Sequence, residues 1–417
     1  MAAALFALPS CSSSDPEPAK AAEVAANVTL PENLASANVI SALFQFTNLT
    51  SGIVSKGENP SELHLEPGLY DVMYEAELQT AEGQVSKVRA VAHSVQITGG
   101  INNLTLVAYL QPTGDDLVIA EIFFAGTQQP SGNNYVGDDY IKLYNNTDHV
   151  VYADGLSIFE SDFSTTQKFD YTPDIMSEAM SADAIYTIPG SGTEYPVQPG
   201  EYLLIADNAI DHRTSNPNSF DLSHAAFEWY DESTTPNFFD IDNPTVKNLD
   251  KWYCYTKSVF MLHNRGFKAY GIARIPQDRD SFLKDNLYEY EYEMVLPAGT
   301  FPMDGDGYKI KNEWIIDVVN LSVESERVWN VCHSSLDAGW TYCGTIDKDP
   351  TRFFHSVRRK MTGLTEDGKP VLQDTNNSSV DFNPNCIASE IEMQGTVIDY
   401  SGNKATTITY DGVTPKK

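Results

Sequence analysis

Residues 117–160 read LVIAEIFFAGTQQPSGNNYVGDDYIKLYNNTDHVVYADGLSIFE, three short apolar runs separated by polar turns. The run 117–122 is a strand with a continuous apolar face. Residues 126–137 form a loop bounded by Gly126 and Gly137. A second strand spans 139–146 and ends in the turn-forming pair Asn145-Asn146, and 150–159 is a turn followed by a third strand. Such runs of β-branched and aromatic residues, bounded by Gly, Asn and Asp, predict an all-β core.

Upstream, residues 27–112 read as a small β-sandwich. Alternation of period two marks strands at 28–30, 42–46, 70–76, 88–95 and 103–109, with turns at 56–60, 81–83 and 99–100. The step Leu65-Glu66-Pro67-Gly68-Leu69-Tyr70 resembles one found in prealbumin-like and carboxypeptidase-regulatory-like sandwiches. Gln111-Pro112-Thr113-Gly114 is the expected boundary, so the chain is expected to hold two sandwiches, 27–112 and 115–417.

The pieces from residue 117 onward resemble the lamin-tail domain family. Ile119-Ala120-Glu121 matches its first step. The segment 139–145, DYIKLYN, matches the second, with Asp139 and Lys142 standing where the family has Glu. The segment 153–158, ADGLSI, matches the third, with Leu156 where the family has Trp. Downstream, 197–207 (VQPGEYLLIAD), 314–319 (WIIDVV), 356–360 (SVRRK), 374–378 (DTNNS) and 379–384 (SVDFNP) follow in family order. The resemblance implies an Ig-like sandwich over about 117–386. It also implies that Arg359 is structural, paired with a carboxylate such as Asp374 or Asp381. Two insertions interrupt the pattern, at about 161–196, where 176–184 is expected to be a short helix, and at about 208–303. In the second, residues 288–296 alternate Tyr with Glu, and the tyrosines are expected to face inward.

The N-terminus carries an address. Residues 1–11, MAAALFALPSC, are apolar, too short to span a bilayer, and end in Leu8-Pro9-Ser10-Cys11. This resembles a bacterial lipobox and implies a lipid on Cys11. No Lys or Arg precedes the apolar run, which fits a start codon placed downstream of the true one. Residues 12–26, rich in Ser, Pro and Ala, are expected to be a disordered tether. Asp15 and Glu17 resemble the surface-export signal of Bacteroidetes lipoproteins. The whole chain resembles an uncharacterised family of such surface lipoproteins, which implies a place on the outer membrane, at the cell surface or on its periplasmic face, beside a TonB-dependent receptor.

The chain's 417 residues carry 27 Lys plus Arg against 58 Asp plus Glu, a net charge of -31. A field of that sign disfavours nucleic acid and suits divalent cations and basic surfaces. Asp304 and Asp306, in MDGDGY, have the look of a calcium turn, although an EF-hand would need an oxygen ligand at Tyr308 and Glu at Ile315. No cofactor is otherwise implied. Cys332 and Cys343 flank SSLDAGW and are candidates for a disulfide stapling a hairpin. Cys332, His333, Cys343 and His355 lack the C-x-x-C spacing of a zinc set. There is no G-x-S-x-G and no H-E-x-x-H. Phe227, Trp229, Tyr230, Phe238, Phe239, Trp252 and Tyr253 crowd one part of the long insertion. Exposed together they would form a platform for a ligand or partner; buried, they are the insertion's own core. The expected function is therefore a non-catalytic binding or accessory module, with an envelope hydrolase sited in 208–303 or a structural adhesin as alternatives.

Overall fold

The structure is a computed structural model that describes residues 22–81, 83, 85–233, 235, 240–256 and 258–405. It is all-β, and it separates into two compact units, residues 1–111 and 112–417.

Among its described residues the first unit has seven strands: β1 (Ala22–Thr29), which takes in the end of the stretch expected as tether, β2 (Asn38–Asn48), β3 (Val54–Gly57), β4 (Gly68–Gln79), β5 (Val85–Ile97), β6 (Gly100–Val107) and β7 (Tyr109–Gln111). Five make one antiparallel sheet in the order β3-β2-β4-β5-β7, and β1 pairs in parallel with β6. Along β4, Tyr70, Val72, Tyr74, Ala76 and Leu78 are buried while the residues between them are not. This is the signature of a sheet with one face in the core. Tyr70 Oη donates to Glu66 O at 2.9 Å, tying the Leu-x-Pro-Gly turn to the strand that it launches.

The second unit is built differently. Its principal strands are β8 (Leu117–Phe123), β9 (Tyr140–Asn145), β10 (Leu156–Ser161), β11 (Ala179–Thr187), β12 (Tyr202–Ala206), β13 (Phe227–Glu228), β14 (Lys247–Asn248), β15 (Asp250–Cys254), β16 (Ala269–Arg274), β17 (Leu287–Leu296), β18 (Gly299–Lys311), β19 (Ile315–Asn320), β20 (His355–Arg359) and β21 (Phe382–Ile387). One sheet runs β14-β13-β12-β9-β8-β20-β21. The other runs β17-β18-β11-β10-β16-β19, with β15 paired to β11. Leu117, Ile119, Ile141, Leu143 and Ile205 of the first sheet meet Leu156, Ile158, Tyr186, Ile272 and Val319 of the second in a shared core.

Both sheets are covered on their outer faces as well. Phe123, Tyr140, Leu204, Phe220, Phe354 and Ile391 bury the outside of the first. Phe159, Phe163, Ile185, Phe282, Tyr288 and Trp329 bury the outside of the second. Strands β8, β9, β10 and β11 are consequently buried at every residue, and their sequences do not alternate.

That double burial overturns two expectations. Residues 176–184 are not a helix: Ala179–Thr187 is a central strand, paired with β10, β15 and β18. The stretch 208–303 is no appended insertion either, because β16 lies between β10 and β19 in the middle of the second sheet. β11 and β16 lack a period-two pattern because neither face of these strands sees water. The tyrosines of β17 do face inward. Tyr288 and Tyr290 are buried, and the intervening glutamates are exposed.

The cysteine bridge is a second correction. Cys332 and Cys343 are free and buried. They sit in different cores, Cys332 outside the second sheet and Cys343 between the sheets, which keeps them from pairing. Cys332 Sγ instead accepts from Asn320 Nδ2 at 3.3 Å, and burial raises its pKa to about 12.

Gly271 of β16 lies against Phe159 of β10; a Cβ there would stand 2.3 Å from Phe159 Cζ. Gly271→Ala is expected to cost about 1–3 kcal/mol by overpacking. Chemical denaturation will read this as a lowered midpoint, and an unchanged midpoint would mean that the two strands are not so close.

Candidate functional site

The outer face of the first sheet holds a pocket of about 470 Å³. Its floor is made by Ala120 and Glu121 of β8, Lys142 of β9 and Arg358 of β20. Its wall is a single helix, α1 (Ser389–Gln394). The register explains how Glu121 comes to face outward. Lys142 pairs with Glu121 but Leu143 pairs with Ile119, so β8 carries one extra residue at this point. A bulge of this kind re-aims a side chain that strict alternation would place elsewhere.

Glu121 is fully enclosed yet well supplied with donors. Tyr140 Oη donates to it at 2.9 Å, Ser356 Oγ at 2.6 Å and the Ser389 amide at 2.8 Å, and the Ser389 hydroxyl donates as well. Lys142 Nζ lies 2.7 Å from Glu390 Oε1 and donates to Ser389 Oγ at 2.5 Å. Arg358 Nη1 reaches Glu392 Oε2 at 2.6 Å. His224, at the rim, places Nε2 3.4 Å from Glu390 Oε2. Gln394 Nε2 donates to the same oxygen at 2.9 Å. A left-handed Gly395 ends the helix, with φ of 62°.

These contacts decide the protonation of the floor. Burial pushes the Glu121 carboxyl up, but the Lys142 and Arg358 charges and the Ser356 and Ser389 hydroxyls outweigh it and hold the group below the usual range. Burial lowers Arg358, and the Glu121 and Glu392 carboxylates more than restore it. Glu121 and Arg358 are therefore charged at neutral pH, and every charged group of the floor faces an opposite charge or hydrogen-bond donors. The open part of the pocket is apolar, with Tyr202 on one side and Met393 on the other. Such a site can receive an apolar or aromatic group, and its ionised groups are engaged with one another.

Below this floor lies a second enclosed pair. Arg359, mostly hidden by Phe382, pairs with Asp317 and lies 3.0 Å from Asp374, while its Nε donates to Ile119 O at 2.7 Å. Asp374 is one of the partners that the lamin-tail resemblance implied. Asp317 was not anticipated, and it comes from the other sheet.

The residues singled out in the sequence lie elsewhere. Phe227 and Trp229 are buried in the core between the sheets, which removes them from any exposed platform. The single-residue alternation of β13 puts them on its inner face. Tyr230 is half-buried. Trp252 is half-buried against Phe282, and Tyr253 against Tyr308, with ring centroids 5.5 and 4.5 Å apart. Asp304 and Asp306 are not in a turn. They are exposed on β18, opposite Glu291 and Glu289 of β17. Among the described residues, no three His, Cys, Asp or Glu side chains form a ready metal-ligand set. Cys11, Phe238 and Phe239 lie outside the described residues. The sequence reading passed over Ser389, Glu390, Glu392 and His224. The one signal available was the segment 389–395, SEIEMQG, a short acidic helix with a glycine stop.

Residues 198–389, which span β12 to the first residue of α1, match the family model described as "Protein of unknown function (DUF4876)". The fold is similar to the crystal structure of a DUF4876 family protein from Bacteroides thetaiotaomicron. That likeness has a TM-score of 0.59 and 20% sequence identity, and covers 88% of this chain and 96% of that one. No curated protein matches the chain.

Glu121→Gln removes the carboxylate that both Lys142 and Arg358 face. Breaking a buried ion pair on one side costs about 3–5 kcal/mol. Because the folded pKa is depressed, Glu121's contribution is fully present above its unfolded pKa of about 4.3 and is lost as pH falls through the lower folded value. Urea unfolding of wild type and Glu121→Gln should differ most near pH 7 and converge only once the pH falls below the depressed folded value. A difference that stayed constant with pH would contradict the assignment.

Proposed function

We propose that this chain is a non-catalytic binding module, held to the outer membrane by a lipid on Cys11 and working beside a TonB-dependent nutrient receptor. The pocket walled by α1 receives an apolar group of the ligand or partner. The observation that carries this reading is the division of labour in the pocket. In its charged floor Lys142 and Arg358 are each engaged by carboxylates, Glu390 and Glu392 directly and Glu121 between them, and its mouth is left to Tyr202 and Met393. An acid or base catalyst needs a group free to exchange a proton with substrate, whereas a floor of this kind holds shape. The lipobox and acidic tether support the membrane address, and the Bacteroides source of the similar structure is in keeping with it.

A structural adhesin is the second reading. It is favoured by the exposed apolar residues Val295, Leu296 and Phe301 at the tip of the β17–β18 hairpin.

Cross-linking in intact cells distinguishes the parts of the proposal. Wild-type chain is expected to carry a lipid and to cross-link to a TonB-dependent receptor. Cys11→Ser should lose both lipid and membrane association. Ala226→Trp, which fills the pocket from an exposed position, should stay on the membrane and lose the cross-link. An unlipidated wild-type chain, or a receptor cross-link that survives Ala226→Trp, would overturn the corresponding part.

A further inference from the structure

The strand ends beside the sandwich core carry acid without a matching base. Asp139 precedes β9 and Asp207 follows β12. They lie opposite one another across the pairing of those strands, because Tyr140 pairs with Ala206 and the Asp207 amide donates to Asp139 O at 2.9 Å. Alternation places both on the face of Ile141 and Ile205, toward the core between the sheets. Asp139 is 1% exposed and Asp207 2%; the Gly126 amide faces the Asp139 carboxylate, and neither oxygen of Asp207 has a hydrogen-bond partner. Asp138, beside them, is also enclosed. Its Oδ2 accepts from Thr127 and Ser219 at 2.5 and 2.6 Å, and its Oδ1 has no partner.

Other buried carboxylates in this unit are supplied either with amide and hydroxyl donors, as Asp337 and Glu228 are, or with bases. Asp183 has Lys268, Asp231 has Lys251 and Asp317 has Arg359. Directly opposed carboxylates at cross-strand spacing repel, and an ionised carboxylate held from water without a partner is costly. A bound cation removes both penalties. The donors are all oxygen. The nearby imidazole of His212 is engaged at both nitrogens, with Tyr135 Oη at 3.0 Å and Asn208 O at 2.8 Å. Oxygen donors select hard cations. Calcium accepts an irregular shell of roughly six to eight oxygens, whereas magnesium requires a near-ideal octahedron and retains its waters.

We propose that Asp139 and Asp207 hold a calcium ion at the end of the sandwich. Three carboxylates do not converge as they stand. The two facing carboxylates therefore supply four oxygens, and main-chain carbonyls and water complete the shell. Gly126 is part of the enclosure: its φ is +68°, and a Cβ there would meet Tyr135 O at 2.3 Å and Asp138 Oδ1 at 3.4 Å. The ion would pin the 126–138 loop to β12, at the opposite end of β9 from the Asn145 turn.

The test uses the full chain, stripped with EDTA and dialysed. Thermal unfolding is followed with no added metal, with calcium chloride and with magnesium chloride. Calcium far above its dissociation constant is expected to raise Tm by roughly 5 °C or more, and magnesium by less. The shift should vanish in Asp139→Asn/Asp207→Asn and persist in Asp304→Asn/Asp306→Asn, whose carboxylates are exposed on the hairpin. No calcium shift in the wild type, or a shift that survives Asp139→Asn/Asp207→Asn, overturns the proposal. Should that double variant fail to fold, metal analysis of the purified wild type decides: about one calcium per chain supports the site, and none overturns it.

Discussion

The carboxylate of Glu121 is the constraint around which the larger unit is arranged. It sits on the outer face of the first sheet, enclosed by protein, where an ionised group is costly unless donors surround it. Those donors, Tyr140 on β9, Ser356 on β20 and Ser389 at the start of α1, come from three parts of the chain, and the countercharges Lys142 and Arg358 come from the same two strands. None can move far without stranding a buried charge. Hydrophobic burial supplies the bulk of the stability here, as elsewhere. A paired charge adds little net energy against an apolar substitute, but it penalises every arrangement that separates the partners. The six residues of α1, too few to be stable alone, are thereby held in one place.

Lys142 follows from the same constraint. A carboxylate at this position would face Glu121 across the strand pair. Lys142 reverses the local sign and gains Glu390 as a second partner. The base at this position and the acidic character of α1 are therefore linked: a lysine on the sheet and glutamates on the helix answer one another.

Much of this architecture was legible in the sequence, and the reasons for the failures are physical. The all-β class, the turn at Leu65–Tyr70 and the inward tyrosines of β17 follow from alternation and turn chemistry, which operate locally. The helix expected at 176–184 and the insertion expected at 208–303 failed because β11 and β16 are covered on both faces, so their sequences carry no period-two signal. The aromatic run around Phe227 and Trp229 was equally silent about exposure, since the same residues serve a platform or a core; β13 turns them inward. The pocket was the least legible part. Glu121, Lys142, Arg358 and Glu390 meet only through the tertiary fold, and the bulge that points Glu121 outward leaves no mark in composition.

Glu121 locks α1 to the sheet, and amide hydrogen exchange under native conditions measures that lock directly. The Ser389 amide and those of the following turn are predicted to exchange as slowly as the amides of β9, and to open only with the sheet. Exchange of residues 389–394 at the rate of exposed loops, with β9 still protected, would contradict it.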